Sequence, residues 1–491
     1  MVPQGVPRES RERRVREAAR VPLLSPLPAS GERRPEGARH SAAPRPLTPL
    51  TRVPQTRAVS IYAARRQRFL DSMGPGVAVF PAAPVAIRNN DVEHEYRQES
   101  DLFYLTGFDE PDCVLVLAPQ HAQHRVVLFV RPRDPSREVW DGARAGVEGA
   151  VERFGADVAF PIAELAEKLP EYVANTRRLF YRAGRDRSFD DRVFATLNTL
   201  RSRQRLGVSV PSELIDPGSV LHEQRLRKDA DELASMRSAV AATTVAFARA
   251  MEVARPGSFE YEVEAELLHA FRAHGCERFA YGPIVGSGPN ATTLHYRRND
   301  RRMEDGELLL IDAGAEHGYY AADVTRTFPV SGKFSKPQRI LYDLVLASQH
   351  AAFAAVRPGA TLDASHQAAV GVLAAGLLEH GLVAGTLEEV LEKGLYKPFY
   401  MHRTSHWLGM DVHDVGAYFL DGKPRPLEPG FVLTVEPGLY ISATAEVAPE
   451  WRGIGIRIED DLLVTADGYE NLTAAIPKGA DELEQLLAAR G

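Results

Sequence analysis

The sequence predicts two globular domains, an α/β layer domain followed by a larger α+β domain built as two related halves. Three observations carry this. From Val59 onward, short apolar runs (Val77–Phe80, Val114–Leu117, Val126–Val130) alternate with helical stretches (60–72, Ile162–Leu169, Phe189–Leu200), the pattern of strands layered with helices. The segment Pro211 to Pro217 is punctuated by prolines and reads as a domain boundary. Beyond it, a helical block followed by acid-tipped strands occurs twice, at 228–274 with Asp312 and Asp323, and at about 336–393 with Glu436 and Glu459. That echo implies two acidic strand pairs around one pseudo-twofold axis.

The bulk properties narrow the function. At 491 residues the chain has room for two or three domains. Its 44% hydrophobic and 25% charged residues are ordinary for a soluble protein, and no apolar run nears the ~20 residues that span a bilayer, so no membrane partner is expected. The two cysteines, Cys113 and Cys276, form no CxxC pattern, which argues against a disulfide scaffold and fits a reducing, cytoplasmic setting. Residues 1–57 carry +7, from twelve Arg against five Glu, so with −7 for the whole chain the remainder carries −14. An acidic body does not suit a phosphate backbone, so no nucleic-acid partner is expected.

Residues 1–57 also hold ten prolines and no aromatic residue, a composition that predicts disorder. An Arg-rich arm resembles an organelle presequence, but five Glu and many Pro oppose that; a spurious upstream extension is equally compatible. The expected division is 1–57 as this extension, 58–217 as the α/β domain and 218–491 as the second domain.

Within the second domain, a helix is expected from about Lys228 to Val253, with Asp229, Asp231 and Glu232 in its first turns and Arg255-Pro256-Gly257 as its stop. Another follows from Phe259 to His274, ended by Gly275. Glu307 to Asp312 reads as an apolar strand ending in a carboxylate, and Tyr319 to Thr327 as a returning strand that contains Asp323, a hairpin in which the two acids face each other. Val432 to Glu436 is a second acid-tipped strand, stopped by Pro437-Gly438. In Gly453-Ile-Gly-Ile-Arg-Ile-Glu459 the isoleucines alternate, so Gly453, Gly455, Arg457 and Glu459 share the opposite face. Two glycines there leave room for another group to approach.

Each candidate has a plain structural reading when taken singly: a turn or surface aspartate, a same-face Arg457–Glu459 ion pair, a structural histidine. Together they point elsewhere. Four carboxylates at the ends of apolar strands cannot all stay ionised without compensation. His402, His406 and His413 fall within twelve residues. Oxygen-rich ligation with an imidazole suits two hard or borderline divalent ions, and paired ions that share a water are built for hydrolysis.

At these residues the sequence resembles aminopeptidase P, among the pita-bread metallopeptidases. The resemblance rests on the order Asp312, Asp323, His406, Glu436, Glu459 and on Ile311–Gly314, Asp323–Pro329, Ser405–Gly409, Asp411–Gly416, Val435–Tyr440 and Gly453–Asp460, with Glu95–Asp101 and Tyr104–Phe108 in the first domain. It covers about residues 60–490. It implies a pita-bread catalytic domain and hydrolysis of the N-terminal Xaa-Pro bond by a metal-bridging hydroxide, on peptides with proline second. It implies two divalent ions, Mn2+ by expectation, bound by Asp312, Asp323, His406, Glu436 and Glu459. Glu436 would also accept the water's proton. His413 and His295 would contact the substrate carbonyl, His402 would be a neighbouring active-site histidine, and Arg457 would support the ligands. Tyr440, Asp91 and Tyr281 would lie close to substrate. The loop Asp421 to Leu427 departs from the family pattern by one residue, and Lys423 or Arg425 would replace an arginine there. The family also implies a homo-oligomer, a dimer or tetramer. A prolidase-type dipeptidase, and a non-catalytic pita-bread binding module, are the alternative readings.

Overall fold

The computed structural model describes residues 55–490. The expectation for residues 1–57 therefore lies outside the described residues, except that 55–57 already belong to the first helix, Gln55–Met73. The chain forms two compact units, one of residues 51–226 with 415–417 and one containing 227–414 and 418–491.

The N-terminal unit is built on a six-stranded mixed sheet. Its strand order is Val158–Pro161, Val126–Val130, Val114–Leu117, Val77–Pro81, Arg178–Phe180, Glu213–Ile215. The central strands pair antiparallel and the outer ones join in parallel. Val114–Leu117 is buried along its whole length, which is why that strand reads as an unbroken apolar run. The helices Leu165–Val173 and Arg187–Ser202 bury Leu165, Leu169, Phe189 and Val193 in one core with Val79, Val116 and Phe129. The helix Gly218–Leu226 groups with this unit, one element beyond the boundary read from the sequence. Its Arg225 donates to Asp101 at 2.7 Å and its His222 lies 3.2 Å from the same carboxylate.

The second unit opens with the helix Ala230–Val253, started by a capping box between Asp229 and Glu232, and the helix Glu260–Ala273. Two strand hairpins with the same plan follow. In the first, Leu308–Asp312 pairs with Thr325–Pro329, and past a kink Ala315–His317 pairs with Tyr320–Ala321. In the second, Val432–Val435 pairs with Asp460–Val464, and past a kink Gly438–Ile441 pairs with Ile454–Arg457. The helices Lys336–Ala354, Leu362–Glu379 and Leu387–Glu392 stand between them, so the doubled order seen in the sequence is a doubled structure. One shared core joins Leu309, Ile311 and Phe328 of the first hairpin to Leu439, Ile456 and Ile458 of the second.

The expected single strand from Tyr319 to Thr327 is two strands, broken at Ala322–Val324. A side chain at Gly314 would overlap the Ala322 carbonyl, so the two chain segments touch backbone to backbone there. The amide of Asp323 leaves the ladder and donates to Asp461 at 3.1 Å.

Candidate active site

All four acids stand at the kinks. Asp312 ends its strand, Asp323 lies in the break opposite, Glu436 follows Val432–Val435, and Glu459 lies between Arg457 and Asp460. A kink takes a side chain out of the strict inward–outward alternation, which lets four acids from two hairpins converge. Asp323, His406 and Glu459 each place one ligand atom within 4.8 Å of the others.

His406 turns one ring nitrogen toward the acids. Its Nδ1 lies 3.0 Å from the Trp407 carbonyl, to which only an N–H can bond, so the neutral ring keeps its lone pair on Nε2. That Nε2 faces Asp323 at 3.4 Å and Glu436 at 3.7 Å. Burial disfavours charging this ring, yet Asp323 and Glu436 outweigh it and hold its pKa at about 9.

The carboxylates repel one another at close quarters. Burial, with Asp323 and Asp312, lifts Glu436 to about 7 against the pull of His406 and Arg457. Burial and the other three acids push Glu459 well above the carboxylate range. Burial also raises Asp312, although Arg457 pulls it down. So much forced protonation, of three acids and an imidazole gathered at one oxygen-rich site, is what divalent cations would relieve. The residues therefore fit a metal pair.

Arg457 braces the cluster. It donates through Nη2 to Asp312 at 2.5 Å, through Nη1 to the Tyr440 hydroxyl at 3.0 Å and through Nε to Thr325 Oγ1 at 3.1 Å. The Thr325 hydroxyl in turn donates a hydrogen bond to Glu459 at 2.6 Å. The same-face pairing of Arg457 with Glu459 is thus indirect, through Thr325, and the direct partner is Asp312. The strand ends at Arg457, and Glu459 sits past the kink.

The histidines differ in setting. His402 Nδ1 is 2.7 Å from the Arg403 carbonyl and so carries the proton, leaving Nε2 to accept from Tyr440 at 2.8 Å. Burial, aided by Arg457, lowers its pKa to about 3, so it is a neutral ring. His413 is exposed and meets the His406 ring at 4.3 Å between centroids. Partial enclosure of its ring, and then the neighbouring His406, lower its pKa. His295 is exposed on the segment after the turn Gly288–Thr292, and its charge would disfavour protonation of both His402 and His413.

Three expected positions are placed differently from one another. The Tyr281 hydroxyl lies 2.5 Å from both Asp312 and Asp323, so this tyrosine sits among the acids. Asp91 is exposed in the N-terminal unit, in the turn between Ile87–Asn89 and Val92–Glu93. In the 421–427 loop, Asp421 and Gly422 turn a short hairpin with φ of 49° and 75°. Lys423 is exposed there, whereas Arg425 is buried against Phe431, 5.1 Å from its centroid.

Sequence reading missed the support beneath the acids. Asp460 is fully buried and accepts from Arg326 at 2.8 Å, Thr473 at 2.7 Å, Gln349 at 3.0 Å and Lys478 at 2.5 Å. Gln349 also donates to the carbonyls of Val435 and Ile458, the residues just before Glu436 and Glu459. Three consecutive acids, Glu459-Asp460-Asp461, flanked by Ile458 and Leu462 were the available signal. Such a run inside a buried strand needs buried cations, and Arg326 in the fully buried strand Thr325–Pro329 is the matching one.

Both units of the chain are similar to known proteins. The family model "Metallopeptidase family M24" matches residues 234–466, and "Aminopeptidase P, N-terminal domain" matches 62–181. The chain is 44% identical to the Xaa-Pro aminopeptidase of Escherichia coli K12, over 87% of this chain and 97% of that protein. It is 34% identical to Xaa-Pro aminopeptidase 3 of Homo sapiens, over 87% of this chain and 85% of that one. Aminopeptidase PepP of Pseudomonas aeruginosa superposes with a TM-score of 0.87 at 49% identity, covering 90% of this chain and 99% of that chain. A zinc-substituted E. coli aminopeptidase P in complex with product superposes with a TM-score of 0.85 at 44% identity, over 88% of this chain and 99% of that chain. The chain belongs to the M24 metallopeptidases, in the Xaa-Pro aminopeptidase (aminopeptidase P) family.

Proposed function

We propose that the protein hydrolyses the N-terminal Xaa-Pro bond of peptides with proline in second position. The observation that carries this is the convergence of Asp323, His406 and Glu459, with Glu436 facing His406 Nε2, Asp312 sharing the Tyr281 hydroxyl with Asp323, and Arg457 bracing Asp312. Asp312, Asp323, His406, Glu436 and Glu459 would hold two divalent ions, with Mn2+ favoured by the oxygen-rich donor set. Such ions, when bound, lower the pKa of a shared water and polarise the scissile carbonyl.

The chain's own residues do the rest. Glu436 takes a proton from the attacking water and returns it to the proline nitrogen as the C–N bond breaks. His413 and His295 take the carbonyl oxygen as it gains charge in the tetrahedral intermediate. Neutral His402, oriented by Tyr440 and Arg403, hydrogen-bonds without adding charge. Proline supplies no N–H and fixes φ, so this bond calls for a site that does not read the amide at that position.

Val139 and Trp140 are 82% and 84% exposed on the short helix Pro135–Asp141, which supports a homo-oligomer, a dimer or tetramer. Cys113 and Cys276 are both buried and free, in keeping with a cytoplasmic setting. Among the described residues no helix is long and apolar enough to cross a membrane.

Peptide length tests the activity. The Mn2+-loaded protein is expected to release the first residue from Xaa-Pro-Xaa tripeptides. Cleavage of Xaa-Pro dipeptides alone would instead identify a prolidase-type dipeptidase.

A further inference from the structure

Glu260, at the start of the helix Glu260–Ala273, is fully buried, yet it lies outside the metal pocket. Five donors converge on its carboxylate. Oε1 accepts from the Ser287 amide and hydroxyl, both at 2.7 Å, and from Asn290 Nδ2 at 3.2 Å. Oε2 accepts from the Tyr296 hydroxyl at 2.8 Å and the Arg301 amide at 2.9 Å. These donors span both ends and the middle of one segment, 287–301, and that segment carries His295 next to Tyr296. A buried carboxylate so fully satisfied fixes the backbone that supplies its donors.

The other side of the segment is clamped as well. Gly455 packs against it so closely that a Cβ would overlap the Ala291 carbonyl. This is what approaches the glycine face noted in the sequence. Ala291 is buried with Ile284, Leu310 and Tyr440, with Leu294 and Tyr296 packed around them. Among the described residues no side-chain hydrogen bond holds the exposed His295 imidazole, so its backbone segment sets its place.

We propose that Glu260 is a positioning residue for His295, setting the segment that presents its imidazole to the substrate carbonyl. The inference rests on the role given to His295 above. Glutamine at 260 cannot replace the carboxylate: one end faces the Ser287 amide and the other the Arg301 amide, so its NH2 group must meet a backbone N–H whichever way it turns.

The test is a cycle on the Mn2+-loaded full chain with an Xaa-Pro-Xaa tripeptide, measuring kcat, KM and bound metal. His295→Ala is expected to lower kcat about 100-fold, as loss of an oxyanion donor does. Glu260→Gln is expected to lower kcat roughly tenfold or more with little change in KM and unchanged bound metal, because the loss falls on the transition state. The double variant should match His295→Ala alone. Should Glu260→Gln not fold, Tyr296→Phe removes a single donor and should lower kcat in the wild-type background but not beside His295→Ala. Full activity of His295→Ala would overturn the role of His295 and this inference with it. An impaired His295→Ala beside a fully active Glu260→Gln or Tyr296→Phe, or additive losses in the double variant, would overturn this inference alone.

Discussion

Arg457 shows how much one side chain carries. It is 4% exposed and serves Asp312, Tyr440 and Thr325 with three separate nitrogens. Arg457→Met would leave Asp312 without its cation and the Tyr440 relay to His402 without its anchor. Breaking a buried pair from one side costs about 3–5 kcal/mol, so urea unfolding should register the change along with a sharp fall in kcat. Arg457→Lys should recover only part of either, since one ammonium cannot replace a planar fork facing three acceptors. The alternating isoleucines put Arg457 and Glu459 on one expected face, although the strand ends at Arg457 and the two meet through Thr325. The alternation could not show that the direct partner of Arg457 is Asp312, because that contact joins residues 145 positions apart and depends on how two hairpins meet.

At the scale of the element, the site is two hairpins, each kinked where its acids stand. Gly314→Ala should disrupt the first kink, because the new Cβ would meet the Ala322 backbone, which cannot move aside as a side chain would. Overpacking of this kind costs about 1–3 kcal/mol, and lost metal binding is expected with it. Calorimetry and metal analysis would show both. The apolar runs and terminal acids of Leu308–Asp312 and Val432–Val435 were plain in the sequence. The break at Ala322–Val324 was not, because one Asp between Ala and Val is too weak a local signal to end a strand. What breaks it is a tertiary donor–acceptor pair, the Asp323 amide with Asp461. The Asp460 network escaped notice for the same reason, since Arg326, Gln349, Lys478 and Thr473 are scattered along the chain. Arg326→Met should destabilise the protein by about 3–5 kcal/mol, by leaving Asp460 short of a charge partner in a fully buried place.

For the molecule as a whole, stability should depend on pH through His366. Burial, helped by Arg403, lowers its pKa to about 4. Its unfolded value is about 6.5. The folded value lies below the unfolded one, so the contribution is complete above pH 6.5 and is lost as pH falls toward 4, by roughly 3 kcal/mol. Thermal unfolding across that range should show a decline that His366→Gln reduces. The two-unit plan was legible because each unit keeps its own apolar pattern. Its boundary moved past Gly218–Leu226 because Arg225 and His222 bind Asp101, which lies 124 and 121 positions away in the chain, respectively.

Hydrolysis by this molecule should stand or fall on its bound cations. The direct measurement is metal content and tripeptide cleavage, followed together as Mn2+ is added back to chelator-stripped protein. Stripped protein should be inactive, activity should return as two ions bind per chain, and Asp312→Ala should fail to recover. Full hydrolysis by metal-free protein, or recovery by Asp312→Ala equal to that of the unaltered chain, would contradict the metal centre described above.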